Sequence, residues 1–199
     1  MPKLQRGPCG KVKGKGCKCP TKGAGKEIIP EPEGGMKEVR SYPLSDSDLR
    51  TLLGQNINVI TNRQLPEYNS IEDIFDDEGR CVLLYTPEDP QSGHYVCLLR
   101  RPDCIEYFDP YGEKPDNDDV LGDQPPILTQ MLRESGIPVY WNTHQFQKLR
   151  GDISTCGRHV TARCLYAPYS LDKYAAIVKK SKMMPDDFVS GLTYDKLGK

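Results

Sequence analysis

A continuous apolar run at residues 81–85 (CVLLY), bounded by turn-forming residues, is the feature that most constrains the fold of this chain. Such a run predicts a strand that is buried on both faces. Two shorter β-rich runs follow at residues 95–99 and 105–108, and the polar segment 100–103 between them predicts an antiparallel hairpin. The sequence therefore places a sheet in the middle of the fold.

Helical patterns lie on both sides of these strands. Ser45 followed three residues later by Asp48 predicts a capping box that opens a helix over residues 46–53. Residues 113–126 are acidic and Pro-rich, which predicts an exposed loop. We expect an α+β domain with a central mixed or antiparallel sheet flanked by helices. The remaining predicted elements are helices over 71–75, 127–134, 155–167 and 171–180 and strands over 57–60 and 139–146.

The charge is distributed unevenly along the chain. Residues 1–26 contain eight Lys or Arg and no acid, so 19 basic residues face 28 acidic ones in the remainder. The first 35 residues are rich in Gly, Pro and Lys and offer little to bury. We predict a flexible basic arm over residues 1–40 and a catalytic domain over 41–199, with ordered structure starting near Tyr42. The arm predicts weak nucleic-acid contacts, because a polycation releases counterions from phosphates, through Lys11, Lys13, Lys15 and Lys18.

The chain has eight cysteines and neither a secretory signal nor a long apolar segment. We therefore expect an intracellular protein with no membrane association, whose cysteines are thiols. Cys81, Cys97 and Cys104 lie in apolar, strand-like sequence and are expected in the core. A further three cysteines in the arm lack the paired C-x2-C spacing of common zinc sites, so we predict no metal site at Cys9, Cys17 and Cys19.

Three polar residues stand at the predicted ends of secondary-structure elements. Cys156 opens a helix, where unpaired N–H groups favour a thiolate. His94 begins one arm of the predicted hairpin and Asp109 follows the other, so a His–Asp hydrogen bond is geometrically natural. The sequence thus offers a base, an orienting acid and a nucleophile in chain order.

Acyl transfer also requires donors aimed at the developing oxyanion. Gln147 and Gln145 share one face of the predicted strand, and Gln147 is nearer to the loop that leads to Cys156, so Gln147 is favoured and Gln145 is the alternative. His144 and His159 compete with His94 for the role of base. Both are predicted to be structural or surface residues, because His144 points to the other strand face and His159 lies one turn into the helix of Cys156.

These residues form motifs that resemble those of a known group. The segments GHY (93–95), YFDPYG (107–112) and CG (156–157) are similar to motifs of adenovirus-protease-like and ubiquitin-like-protein-protease-like cysteine peptidases, and the resemblance spans residues 45–192. The segment STCGRHVTAR (154–163) resembles proteases of large DNA viruses, virophages or related mobile elements. The chain departs from the pattern in one respect. Gln147 stands nine residues before Cys156, whereas the family usually has six or seven.

The resemblance implies a cysteine-protease fold of the adenovirus type and a monomeric endopeptidase that cuts viral capsid or core precursors at Gly-Gly-X or Gly-X-Gly sites. It implies action in the virion and in host cytoplasm or nucleus, with no required cofactor, although related enzymes use DNA or a peptide as activators. Gly-rich segments of the arm suggest self-processing, at 12–16, 21–25 and 33–36. Three alternatives stay open: a protease for ubiquitin or a ubiquitin-like modifier, an acetyltransferase with a similar triad, and a non-catalytic nucleic-acid-binding capsid component.

Overall fold

A mixed β-sheet forms the centre of the domain. The computed structural model describes residues 5–6, 35–86, 93–117 and 121–198, and within them the strands follow the order β1-β6-β5-β4-β3-β2. Strands β3, β4 and β5 pair antiparallel, and the other neighbours pair parallel. The strands are β1 (Gln5–Arg6), β2 (Asn58–Thr61), β3 (Arg80–Tyr85), β4 (His94–Arg100), β5 (Ile105–Phe108) and β6 (Val139–Trp141).

Helices cover both faces of this sheet. The described α-helices are α1 (Met36–Ser41), α2 (Asp46–Leu53), α3 (Ile127–Glu134), α4 (Cys156–Leu165), α5 (Leu171–Lys180) and α6 (Pro185–Leu197). Two 3-10 helices, Asn62–Glu67 and Ile71–Ile74, follow β2. The predicted α+β class with a mixed sheet flanked by helices is therefore confirmed.

The sheet separates two hydrophobic cores. Along β4, Tyr95, Cys97 and Leu99 face one core, which α2, α4, α5 and α6 cover with residues that include Leu49, Val160, Tyr174 and Phe188. Val96 and Leu98 face the other core, which α3 and the two 3-10 helices cover with Leu128, Leu65 and Ile71. Since side chains alternate between the faces of a strand, both faces of β4 are buried, as expected for a central strand.

Local sequence signals describe several elements well. The capping box at Ser45 is present, with Asp48 N–H donating to the Ser45 hydroxyl and Ser45 N–H to the Asp48 carboxylate. The predicted hairpin is formed by β4 and β5, and its turn is closed by a hydrogen bond from Arg101 N to Cys104 O of 2.8 Å. Cys81, Cys97 and Cys104 are buried, as predicted.

The predicted strand over residues 139–146 is wrong beyond Trp141. The side chain of Asn142 forms the hydrogen bonds to the backbone of Asp109 that a strand neighbour would otherwise form. Its Oδ1 accepts from Asp109 N at 2.9 Å and its Nδ2 donates to Asp109 O. Phe146 N and Gln147 N then both donate to Pro110 O, each at 2.9 Å. The segment is thus held by local side-chain and turn contacts instead of a ladder, and strand parity does not apply to its glutamines.

Three further expectations need correction, and one helix was not predicted. Ordered structure starts before Tyr42, since helix α1 begins at Met36 and its Val39 is buried in the domain. Helix α6 was not predicted, although Pro185 at its first turn is a common helix start. The 113–126 loop is not wholly exposed, since Asp116 is buried and bonds Tyr85 Oη at 3.0 Å. Cys104 is disulfide-bonded, not a thiol, whereas the described cysteines with free thiols are Cys81, Cys97, Cys156 and Cys164.

Several predictions fall on the arm. Lys11, Lys13, Lys15 and Lys18, the three arm cysteines and the Gly-rich segments of the arm up to residue 34 lie outside the described residues. In the part of the chain that the structure describes, every helix is too short or too polar to cross a membrane.

Candidate active site

His94 and Asp109 meet at one end of the β4–β5 hairpin. His94 is the first residue of β4 and Asp109 directly follows β5, and the antiparallel register brings the two side chains together. His94 Nε2 lies 2.9 Å from Asp109 Oδ1, and both side chains are buried. The predicted His–Asp contact is therefore present in the structure.

The Asp-Pro-Tyr-Gly turn fixes the acid. Asp109 Oδ1 also accepts a hydrogen bond from Tyr111 N at 2.7 Å, and Gly112 N donates to Asp109 O at 2.9 Å. Gly112 has φ +83°, and a Cβ there would lie 3.0 Å from the carbonyl carbon of His144. Glycine is therefore required on both conformational and steric grounds.

Cys156 is the first residue of α4 and its side chain bonds His94. Because Nε2 of His94 faces Asp109, its Nδ1 is the ring nitrogen left for this contact. Thr155 precedes Cys156 as the N-cap residue, and the N–H groups of the first helical turn have no intrahelical acceptor. The structure thus brings all three predicted residues into one hydrogen-bonded chain.

The electrostatics of this chain favour an ion pair. Burial raises the pKa of the Cys156 thiol, but the bond and positive charge of His94, with N–H donors from Tyr95 and Gly157, outweigh it and lower the pKa below its ordinary value. Burial lowers the pKa of His94, but its bonds to Asp109 and Cys156 raise it to about 9. Both shifts favour a thiolate paired with an imidazolium over the neutral thiol and imidazole.

Tyr111 covers the candidate base. Its ring stacks on that of His94 with centroids 4.8 Å apart and an interplanar angle of 19°. Burial, and then the negative charge of Cys156, raise the pKa of Tyr111 to about 12, so the phenol stays protonated near the thiolate. The sequence motif contained this tyrosine, but only the structure reveals that it lies over the imidazole.

The structure separates the two candidate glutamines. Gln147 is buried and its Nε2 donates at 3.0 Å to the hydroxyl of Tyr111, whose ring stacks on that of His94. Gln145 is exposed, and its Nε2 donates back to Gln147 O at 2.8 Å. Gln147 stays the predicted oxyanion donor, but the strand argument for it is wrong, because the strand ends at Trp141.

The two other histidines lie away from the Cys156 thiol contact. His144 is exposed and packs edge-on against Phe146. His159 is fully buried in α4 and its Nε2 bonds Asp186 Oδ1 at 3.1 Å. Among the described residues, no group of three or more His, Cys, Asp or Glu side chains could hold a metal ion.

The fold and the site define an α+β protein with a Cys–His–Asp constellation at the N-terminus of a buried helix. No protein-family model matches the chain. An uncharacterized protein of the Sputnik virophage is 31% identical over 175 residues, an alignment that covers 79% of this chain and 99% of the virophage protein. The chain belongs to the family of that virophage protein.

The chain is also weakly similar to several solved structures, and two examples follow. The central domain of an uncharacterized protein from Legionella pneumophila aligns with a TM-score of 0.39 and 18% identity, over 78% of this chain and 99% of that one. The SUMO protease Ulp1, with its catalytic cysteine oxidized to a sulfenic acid, aligns with a TM-score of 0.40 and 13% identity, over 82% of this chain and 83% of that one.

Proposed function

We propose that the chain is a cysteine endopeptidase with Cys156 as nucleophile, His94 as acid and base, and Asp109 as the residue that orients His94. The observation that carries the proposal is the contact of one buried imidazole with both a carboxylate and a thiol whose pKa is lowered. A structural cysteine has no need of an imidazolium partner, and a buried Cys–His–Asp chain at a helix N-terminus is suited to nucleophilic catalysis.

The first half of the reaction forms an acyl-enzyme. The Cys156 thiolate attacks the scissile carbonyl carbon, and the negative charge moves to the carbonyl oxygen. The backbone N–H of Cys156 and one N–H of the Gln147 amide are the proposed donors to that oxygen, since Tyr111 accepts the other Gln147 N–H. Protonated His94 then gives its proton to the leaving amine as the C–N bond breaks.

The second half releases the acid product. Neutral His94 takes a proton from a water molecule, and the resulting hydroxide attacks the thioester carbon. The C–S bond breaks, and Cys156 leaves as the thiolate beside an imidazolium. The starting ion pair is thereby restored, with Asp109 holding the same ring orientation throughout.

We further propose that the substrates are viral capsid or core precursors cut at Gly-Gly-X or Gly-X-Gly sites in the virion and the infected cell. Membership in the family of a virophage protein supports a viral setting. The Gly-rich segments of the arm would be substrates of the same kind. Intact mass would then show shortening in the wild type and none in Cys156→Ala.

Nucleic acid is proposed as a partner of the basic arm, with the enzyme working as a monomer that needs no added cofactor. The eight basic residues in the first 26 positions support electrostatic binding. Replacing Lys11, Lys13, Lys15 and Lys18 by Gln in the full chain is expected to weaken DNA binding and reduce its salt dependence. If the variant and the wild type bind DNA equally well at each of two salt concentrations, these lysines are not the contact.

The enzymatic proposal is tested with a peptide vinyl sulfone that ends in Gly-Gly. We expect the adduct on Cys156, mapped by mass spectrometry, and a large loss of labelling in His94→Ala. His144→Ala is the matched control, because that histidine is exposed and lies outside the hydrogen-bonded chain. Labelling that is no faster at Cys156 than at Cys164, or is unaffected by His94→Ala, would contradict the proposal.

Fluorogenic Gly-X-Gly peptides and C-terminal ubiquitin or SUMO substrates then separate the two protease hypotheses. Turnover of the modifier substrates without cleavage of the peptides would replace capsid processing by modifier removal. Cleavage of the peptides alone would support the proposal.

A further inference from the structure

A second Asp–His pair lies one turn further along the nucleophile's helix, and the triad does not use it. Asp186, in the first turn of α6, is completely buried. Its Oδ1 accepts from His159 Nε2 at 3.1 Å and from the Thr155 hydroxyl at 2.6 Å, and its Oδ2 accepts from Lys148 N at 3.2 Å. One carboxylate thus collects donors from three separate points of the chain.

Two of these donors lie next to the proposed oxyanion donors. Thr155 immediately precedes Cys156, whose backbone N–H is one donor, and Lys148 immediately follows Gln147, whose side chain is the other. Between them lies the loop that makes Gln147 stand nine residues before Cys156, which is exposed at residues 149–151 and buried at Ile153. The carboxylate of Asp186 therefore ties together the two ends of this loop.

The Thr155 hydroxyl donates its hydrogen bond to Asp186. Although Thr155 is the N-cap residue of α4, its side chain makes no capping hydrogen bond and donates to Asp186 instead. The N-terminal N–H groups of α4 thus keep no side-chain acceptor at the N-cap. The Gly157 N–H among them donates to the Cys156 thiol, and the Cys156 N–H is the one that we assign to a substrate oxygen.

The electrostatics favour an ionised Asp186 carboxylate. Burial raises the pKa of Asp186, but its bonds from His159, Thr155 and Lys148 outweigh burial and lower it. Burial lowers the pKa of His159, and the nearby charge of His94 lowers it further, despite the bond to Asp186. A neutral His159 that donates to an anionic Asp186 is consistent with both shifts.

We infer that Asp186 is a positioning residue that holds Gln147 and the Cys156 N–H in register for oxyanion binding across the long 148–155 loop. This inference rests on the proposed function. Asp186 does not touch His94, Asp109 or the thiol in the described contacts, so it should act on the oxyanion donors and leave the ion pair intact.

The test compares two reagents on the full-length protein. Iodoacetamide needs a thiolate but no oxyanion donors, whereas a peptide aldehyde ending in Gly-Gly forms a hemithioacetal whose oxygen occupies the oxyanion site. We expect Asp186→Asn to weaken aldehyde binding by roughly 10- to 100-fold, since loss of one oxyanion donor costs about 100-fold or more in rate. The alkylation rate should stay within about twofold of wild type.

The neighbouring residue supplies a matched control. Asp187 is the next residue of the same helical turn, but it pairs with Arg40 at 2.9 Å and makes none of these contacts. Asp187→Asn should leave both measurements at the wild-type level. Thr155→Val should weaken aldehyde binding and Thr155→Ser should restore it, a comparison that remains informative if Asp186→Asn does not fold.

The outcomes separate the two proposals. Aldehyde binding that is unchanged in both Asp186→Asn and Thr155→Val, or that falls in parallel with alkylation, would overturn the positioning role while the protease proposal stands. Wild-type protein that binds no aldehyde and whose Cys156 is no more reactive than its other thiols would overturn the proposed function, and the inference with it.

Discussion

The side chain of His94 has a different partner on each ring nitrogen. Asp109 binds Nε2, and Cys156 is the partner of the other nitrogen. A single polar residue at the end of a helix or strand is weak evidence for an active site. The order of His94, Asp109 and Cys156 along the chain predicted the His94–Asp109 contact, and the antiparallel register of β4 and β5 explains it.

A pH profile tests the ion pair at this scale. Because the pKa of Cys156 is lowered, alkylation by iodoacetamide should rise with pH below the range of an ordinary thiol and then stay level. Peptide hydrolysis needs protonated His94 as the acid, so it should fall as pH rises through about 9. Alkylation that begins only near an ordinary thiol pKa would contradict the ion pair.

Removal of the imidazole gives the complementary result. In His94→Ala the thiol keeps its burial and loses its cationic partner, so its pKa should rise. Each unit of that rise lowers the thiolate fraction at neutral pH roughly tenfold, and the alkylation rate with it. The rate should recover at high pH, where the thiol ionises without help. A rate deficit that persists at high pH would indicate a structural defect instead.

At the scale of elements, a buried ion network fixes the end of α4 to the sheet. Glu106 of β5 binds Arg163 of α4, with Arg163 Nε 2.6 Å from Oε1, and also Arg101 at 3.0 Å. The Arg163 guanidinium donates in turn to the backbone oxygens of Tyr166 and Tyr169, just beyond the helix. The helix that begins with Cys156 is therefore anchored at both ends, here and at Asp186.

Loss of the central carboxylate should be costly. Glu106→Gln leaves two buried guanidinium groups without a charge partner, and we expect unfolding free energy to fall by about 3 kcal/mol or more. Glu72→Gln is the control, because Glu72 pairs with Arg100 at the surface and should cost at most about 1 kcal/mol. Urea unfolding of both variants would measure the difference. Equal losses of unfolding free energy in the two variants would mean that the buried network stabilises the fold no more than the surface pair does.

Element boundaries show where sequence patterns stop being informative. The capping box of α2 depends on residues three apart and was predicted to the residue. The strand after Val139 was predicted five residues too long, because its end depends on Asn142 binding Asp109, a residue 33 positions away. The periodicity of apolar residues carries no information about such a contact.

At the scale of the whole molecule, the sheet joins two cores that lie on opposite faces. Phe188 of α6 belongs to one core, and Trp141, the sole tryptophan of the chain, belongs to the other. Because both faces of the same central strands are buried, neither core should persist without the other. We expect one cooperative unfolding transition.

A variant in one core, observed from the other, tests this. Phe188→Ala should destabilise the protein by about 3–5 kcal/mol, and the shift should be the same by Trp141 fluorescence and by far-UV circular dichroism. Lys196→Ala, an exposed change in the same helix, should stay within about 0.5 kcal/mol of wild type. A shift that is seen by circular dichroism and not by fluorescence would show that the two cores unfold separately.

The sequence by itself determined the α+β class, the strands around the 81–85 run, and the candidates His94, Asp109 and Cys156, because these depend on local periodicity, caps and short motifs. The tertiary structure alone decided the stacking of Tyr111 on His94, the burial of Gln147 and the contacts of Asp186. Those features depend on groups brought together from distant positions, and 30 residues separate Asp186 from Cys156. The role we assign to Asp186 has no local signature, because its carboxylate acts through the ends of a loop in another part of the chain.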